Sequence, residues 1–469
     1  MRRLPFFPEP VSVARIHFVG IGGIGMSGIA DILAQAGYSV SGSDLHPSPL
    51  LEKLAGRGVR IAIGHDRGNV GDAQVVVRST AIQDDNPEIE EARSRLIPLV
   101  HRSEMLAALL RRKTGIAVSG THGKTTTSAM IACILTQNGW DPTAIIGARV
   151  RQLGGNARWG TGAVTVAEAD ESDRSFLNLP AVCAVVTNID EDHMDCYSDV
   201  EDLCESFLTF MNQVPFYGQV VLCADDPRLS RMRKKIHRQV LTYSVGGEAD
   251  LAASEPRNSN RGTEFECSWR KKLLGTITLR VPGRHNVSNA MAALTVGKWL
   301  GIPFPEMIEA LQDFEGAERR LEWKGEARQV WVMDDYAHHP TEIAATLEAC
   351  QGWKRRLVVV YQPHRYSRTE YLMDRMGSCF ERADDLFLLD VYGAGEAPLQ
   401  GVDTPHLVDR IRKVRPVEYV VGNQVIPRLK EHTRPGDLLL TMGAGDVWKI
   451  GEEFLAQADY QAEPRTSAE

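Results

Sequence analysis

Val118-Ser119-Gly120-Thr121-His122-Gly123-Lys124-Thr125-Thr126-Thr127 joins an apolar strand, Ile116-Ala117-Val118, to a helical run from Ala129 to Leu135. A glycine turn, a lysine and adjacent hydroxyls at a strand-to-helix junction make a place to hold a triphosphate. Gly120 and Gly123 let backbone N–H groups crowd round phosphate oxygens, Lys124 neutralises their charge, Thr125 offers a hydroxyl to Mg²⁺, and the helix from Thr126 turns its positive end inward. The strict Walker spacing is not met, because Val118 stands where a glycine is required. The generic pattern therefore fails while its chemistry survives. The plain alternative is a glycine turn with a solvated lysine, but the flanking strand and helix favour ATP and a parallel α/β sheet.

A second glycine loop lies upstream. Ile16-His17-Phe18-Val19 runs into Gly20-Ile21-Gly22-Gly23-Ile24-Gly25 and then a helical pattern through Met26, Ile29, Leu33 and Ala36. Gly20, Gly22 and Gly25 satisfy the dinucleotide fingerprint, and the next strand, from Tyr38, leads to Asp44, whose carboxylate is suited to ribose or base hydrogen bonds. Alone, the fingerprint fits NAD or FAD, another diphosphate ligand, or a tight strand–helix turn.

The 469 residues are 43% hydrophobic and 24% charged, enough for about three domains of ordinary size. A net charge of −8 argues against a sequence-independent grip on nucleic acid. The eight cysteines contain no Cys-x-x-Cys pair and read as core thiols of a reducing compartment. No apolar run approaches a membrane span, and the Met1 to Pro10 leader has no long apolar stretch for export, so a cytoplasmic protein without membrane insertion is expected.

Strands and helices alternate along the chain, which predicts mainly parallel sheets layered with helices. Three domains are expected: 1–112 around the glycine fingerprint, 113–316 around the ATP loop, with a polar insert between Gly246 and Gly275, and 317–469 restarting at Gln329. The tail after Tyr460 should fray. In the middle block, Glu168-Ala169-Asp170-Glu171-Ser172-Asp173 follows one apolar run, and Asn188-Ile189-Asp190-Glu191-Asp192-His193 follows the next. At the carboxyl ends of adjacent parallel strands, these groups can converge with Thr125 on Mg²⁺. The alternative is that each is a solvated loop charge.

Gly-Thr-His-Gly-Lys-Thr-Thr, Glu-Ala-Asp-Glu-Ser-Asp, Thr-Asn-Ile-x-x-Asp-His-Met-Asp, Gly-Arg-His-Asn-x-x-Asn, Asp-Asp-Tyr-x-His-His-Pro and Gln-Pro-His-Arg-Tyr-Ser-Arg stand here in order. Over nearly its whole length the chain resembles the Mur ligase family. That resemblance implies a UDP-sugar-binding Rossmann-like domain, a central ATPase and a Rossmann-like C-terminal domain. It also implies ATP and Mg²⁺ as cofactors, and the N-terminal glycines, His122 and the Glu168 to Asp173 string point within the family to UDP-N-acetylmuramate and L-alanine as substrates. A monomer or homodimer is expected.

By the same resemblance, Gly20, Gly22, Gly23, Gly25 and Asp44 bind the UDP part, and Gly120, Thr121, His122, Gly123, Lys124, Thr125 and Thr126 bind ATP phosphates. Thr125, Glu168 and His193 hold magnesium, His285 and Asn289 meet adenine, and Arg320 reaches the phosphates. Asp335 and Tyr336 neighbour ribose and adenine, while His338, His364, Arg365 and Arg368 bind the amino acid and the muramoyl carboxylate. Lys124, Arg320, His193 and His338 carry the catalytic roles, with His193 or His338 as base. Plainer readings remain: His338-His339-Pro340 can cap a helix, and Arg365 and Arg368 can share one solvated helical face. One departure is that Glu191 to Asn212 holds no lysine, which some relatives carbamylate near the metal. Two other functions stay open: a sibling ligase joining whole peptides to the same sugar nucleotide, and a nicotinamide oxidoreductase using Gly20 to Gly25.

Overall fold

A computed structural model describes residues 14–259 and 262–459; the leader Met1 to Pro10 and the tail after Tyr460 lie outside them. The described chain is α/β and carries three sheets. The first and second sheets share one compact unit, and the third builds a second unit whose long segment starts at Gly316.

The N-terminal sheet is parallel throughout, in the order Arg60–Ile63, Ser39–Asp44, Arg15–Val19, Val75–Arg78, Leu99–His101. Strand order reverses between Arg15–Val19 and Val75–Arg78, which opens a crevice at their carboxyl ends. The helix Ile24–Gln35 follows the glycine loop, buries Met26, Ile29, Ala30 and Leu33, and ends at Gly37 with φ 92°. It packs on the strands Thr143–Val150 and Gly155–Arg158 of the second sheet, where Asn156 Nδ2 donates to the Ile24 carbonyl at 2.9 Å.

The middle sheet runs Arg257–Ser259, Gly262–Trp269, Leu251–Ala253, Val240–Val245, Gln219–Cys223, Cys183–Val186, Thr114–Ser119, Val164–Glu168, Thr143–Val150, Gly155–Arg158, with Lys272–Leu279 also paired to Gly262–Trp269. Its core strands pair in parallel. The stretch from Gly246 to Gly275, read as a polar insert, instead supplies strands, and Gly262–Trp269 pairs antiparallel with Leu251–Ala253. In Gly262–Trp269, buried Thr263, Phe265 and Cys267 alternate with exposed Glu264 and Glu266, the signature of a sheet with one wet face. Its mean polarity hid its period of two.

The C-terminal sheet runs Glu322–Ala327, Val330–Asp335, Leu438–Met442, Leu357–Tyr361, Asp385–Leu388, Glu418–Tyr419. The first pair is antiparallel and the others parallel. Asp335 and Tyr361 both stand opposite Met442, so the loops after these three strands emerge side by side. All eight cysteines are free thiols, six of them buried. Among the described residues no helix is long and apolar enough to cross a membrane.

Candidate active site

Thr114–Ser119 lies between Cys183–Val186 and Val164–Glu168, so the loop Gly120 to Gly123 emerges where both neighbours end. Gly120 has φ 124°, and a Cβ there would strike the Thr187 hydroxyl. Gly123 has φ 83°, and a Cβ there would strike the Asn289 amide oxygen. Both glycines are thus required by conformation and by space. Thr121 N donates to Asn188 O at 3.1 Å, His122 N donates to Asn188 Oδ1 at 2.9 Å, and Thr187 Oγ1 donates to the His122 carbonyl at 2.6 Å. His122 Nε2 stands 3.2 Å from Asp190 Oδ2. The expected loop residues are therefore brought together and pinned to the next strand end, while Thr126 is buried in the helix Lys124–Gln137.

Lys124 Nζ lies 2.7 Å from each carboxylate oxygen of Glu171 and 2.9 Å from the Gly120 carbonyl. Burial opposes its charge, but the carboxylates of Glu171, Asp170 and Glu168 outweigh that and raise its pKa. Burial also pushes the Glu171 carboxyl up, against the pull of Lys124. Glu171 had no individual role in the sequence reading. Thr125 Oγ1 donates to Glu168 Oε2 at 3.2 Å, and Glu168 Oε1 accepts from Gly147 N at 2.5 Å. A hydroxyl beside a carboxylate is a hard oxygen donor set of the kind Mg²⁺ takes. His193, the third expected ligand, adopts φ 57° and sits 3.6 Å from Asp192 Oδ2. Asp170, against burial, is held below the usual carboxylate range by Lys124, Arg102 and His193.

In the N-terminal glycine loop, Gly22 N donates to Asp44 Oδ2 at 2.8 Å, and Gly20 N and Ile21 N donate to the Ser43 carbonyl at 2.9 Å. Gly23 caps the helix Ile24–Gln35 without a side chain. A Cβ on Gly25 would lie 2.6 Å from Arg102 Nη1, and the same guanidinium reaches Asp170 Oδ2 at 3.5 Å. Arg102 thus stands between the N-terminal glycine loop and the acidic strand end at Asp170, a place that strand-by-strand reading does not reveal. Arg78, Ser79, Thr80 and His101 line a cavity at the crevice after Val75–Arg78.

Asn289 lies on the helix Arg284–Trp299, and its Oδ1 accepts from Thr127 Oγ1 at 3.2 Å, so it buttresses the phosphate loop. His285, four residues earlier, is pushed down to about 4, first by burial and then by Arg320, against Glu342.

In the third sheet, the Arg319 and Arg320 guanidinium carbons each lie 5.1 Å from the Tyr336 ring centroid. Arg319 also holds Asp334 Oδ2 at 2.9 Å and the Gly443 and Gly445 carbonyls at 2.6 and 2.9 Å. Asp335, expected beside ribose, is turned into the domain. Its carboxylate accepts from Leu321 N at 2.7 Å, Ala337 N at 2.8 Å and Thr346 Oγ1 at 3.3 Å, which braces the turn presenting Tyr336. Burial nevertheless raises it to about 6.

His338 Nδ1 donates to the Tyr336 carbonyl at 3.0 Å, a contact that in the neutral imidazole leaves the lone pair on Nε2. Arg368 Nη1 donates to His364 Nδ1 at 3.2 Å, and the His338 and His364 rings lie 6.2 Å apart. His364 is pushed down to about 3, first by burial and then by the charges of His338, Arg368, Arg365 and Arg319. Arg365 does not share a helical face with Arg368. It precedes the helix Tyr366–Leu372 with φ 66°, and its Nε lies 3.6 Å from Glu396 Oε1. The capping role falls to His339, which receives Thr341 N at 3.3 Å and leaves His338 to the cavity wall.

Three family models match in sequence: the Mur ligase family catalytic domain over residues 15–114, the Mur ligase middle domain over 118–297, and the Mur ligase glutamate ligase domain over 319–445. The chain is 49% identical over 454 residues to the UDP-N-acetylmuramate–L-alanine ligase of Syntrophotalea carbinolica, covering 95% of this chain and 99% of that one. It is 48% identical to the enzyme of that name from Geobacter sulfurreducens, covering 95% and 98%. The solved UDP-N-acetylmuramate-alanine ligase MurC of Thermotoga maritima superposes with a TM-score of 0.81 at 29% identity, covering 95% of this chain and 99% of that one. Three consecutive matched models and near full-length identity agree with the site's phosphate loop and acidic strand ends: the chain belongs to the Mur ligase family.

Proposed function

We propose that this protein joins L-alanine to the carboxylate of UDP-N-acetylmuramate, with ATP converted to ADP and phosphate, as a step in making peptidoglycan precursors. The observation that carries the reading is the loop Gly120 to Thr125. It sets a lysine and a hydroxyl–carboxylate pair at the end of a central strand, in a chain about half identical to relatives named for this reaction.

Joining a carboxylate to an amine needs a better leaving group than oxide. The muramoyl carboxylate attacks the γ-phosphorus and ADP leaves, giving an acyl phosphate. The neutral amine of L-alanine then attacks the acyl carbon and phosphate departs. Lys124 and the backbone N–H groups in the uncapped first turn of the helix Lys124–Gln137 hold the phosphates, and Arg320 joins them there. Thr125, Glu168 and His193 would hold Mg²⁺, which when bound neutralises phosphate charge. The loop Gly20 to Gly25, with Asp44, holds the UDP part. His285 and Tyr336 serve the adenine end of ATP, Asn289 steadies the phosphate loop and Asp335 steadies the turn of Tyr336. Arg368 and Arg365 take carboxylates, and His338 Nε2 accepts the ammonium proton, with His193 the second choice.

The reading includes domains at 1–112, 113–316 and 317–469, a cytoplasmic location, and a monomer or homodimer. The deciding experiment is phosphate release. It is expected only when UDP-N-acetylmuramate and L-alanine are both present with ATP. Release with a muropeptide-type tripeptide but not with L-alanine, or nicotinamide reduction in its place, would overturn the proposal.

A further inference from the structure

A small cavity opens in the C-terminal unit between His338, His364 and Arg368 on one side and Leu372, Met376 and Leu407 on the other. It offers about 10 Å³ to the centre of a water-sized sphere, room for roughly one water or one methyl group. Its floor belongs to the hydrophobic core: Leu372, Met376 and Leu407 are 2%, 3% and 0% exposed. The hydroxyl protons of its wall are already engaged. Tyr361 donates to the His338 carbonyl at 3.2 Å, and Thr369 donates to the Arg365 carbonyl at 2.7 Å. A cationic rim over a closed apolar floor suits an α-amino acid with a very small aliphatic side chain, its carboxylate on the guanidinium and its methyl group below.

We propose that Leu372, Met376 and Leu407 set the size limit of the amine substrate, admitting the methyl group of alanine and excluding longer side chains. The inference rests on the reading of the protein as an L-alanine ligase and adds which residues make the selection. In a close-packed pocket, one extra methylene changes kcat/KM by about 10- to 200-fold.

The test compares kcat/KM for glycine, L-alanine, L-2-aminobutyrate and L-valine by phosphate release in the full-length protein, with ATP and UDP-N-acetylmuramate saturating. The natural protein is expected to favour L-alanine over L-2-aminobutyrate by about tenfold or more. Leu372→Ala enlarges the floor and should narrow that preference about tenfold, and Thr369→Ile fills the cavity and should lower L-alanine relative to glycine by a similar factor. Circular dichroism melting shows whether each variant folds, and Met376→Ala replaces Leu372→Ala if the latter does not. Folded variants that keep the natural preference ratios overturn the proposal. Absence of any L-alanine-dependent phosphate release in the natural protein is a separate result, one that removes the ligase reading itself.

Discussion

Glu171 holds Lys124 by both carboxylate oxygens, 2.7 Å each, at a fully buried position. A partly buried ammonium with a buried bidentate counter-ion has a fixed direction, which a triphosphate needs more than charge alone. Replacing Lys124 by Ala should therefore abolish turnover, at a barrier increase of several kcal/mol, about a hundredfold or more. Calorimetry should still show UDP-N-acetylmuramate binding; loss of that binding with ATP binding retained would reverse the two loop assignments. Glu171→Gln keeps the shape and removes the charge. It should raise the KM for ATP about tenfold and leave that for the sugar nucleotide near its starting value, a split that a general packing defect would not give. The lysine was legible in the sequence because Gly120, Gly123, Lys124 and Thr125 are neighbours along the chain. Glu171 was not, because six residues from Glu168 to Asp173 hold four acids, and only the pairing of Glu168 with Val118 fixes which of them faces the loop.

Strand ends, more than single residues, build this site. Alternation of apolar runs with helical stretches was enough to expect Gly120, Glu168 and Asn188 at the carboxyl ends of parallel strands, since a parallel sheet puts all carboxyl ends on one edge; the structure supplies the order, with Thr114–Ser119 between the other two strands. What the pattern could not supply was the conformation of the loops themselves. Gly123→Ala must place an alanine at φ 83° against Asn289, at a strain of about 1–2 kcal/mol. The expected result is a folded protein whose kcat/KM for ATP falls about tenfold or more; unchanged kinetics would mean that the loop relaxes freely. The helix Tyr366–Leu372 carries a similar lesson. Two arginines three apart suggested one helical face, yet Arg365 takes a left-handed backbone before the helix starts, which turns it to Glu396 and leaves Arg368 at the cavity. Arg368→Lys should accordingly raise the KM for L-alanine more than that for ATP, because an ammonium cannot copy the planar two-point contact with a carboxylate. An unchanged alanine KM in a folded variant would remove Arg368 from the amine pocket.

At the scale of the whole molecule, several buried ionisable groups titrate away from their ordinary values. His285 and His364 are pushed down to about 4 and about 3, mainly by burial, while an unfolded chain protonates histidine near 6.5. Between pH 6.5 and those values the unfolded state binds more protons, so stability falls as the solution is acidified. Asp335 acts in the opposite sense. Its carboxyl is raised to about 6, so below that pH the folded state takes up a proton before the unfolded chain does and gains stability as pH falls towards 4. The natural protein therefore shows a partly cancelled slope, and one variant separates the parts. In His364→Gln the imidazole contribution is gone, so the stability advantage of the natural protein over the variant should shrink between pH 7 and pH 5. The limiting slope is about 1.4 kcal/mol per pH unit below 6.5. Urea unfolding of both proteins at pH 7, 6 and 5 measures it. Parallel curves would mean that His364 takes up its proton in the fold as readily as in water, against the burial and the neighbouring Arg368 and Arg365 charges that surround it.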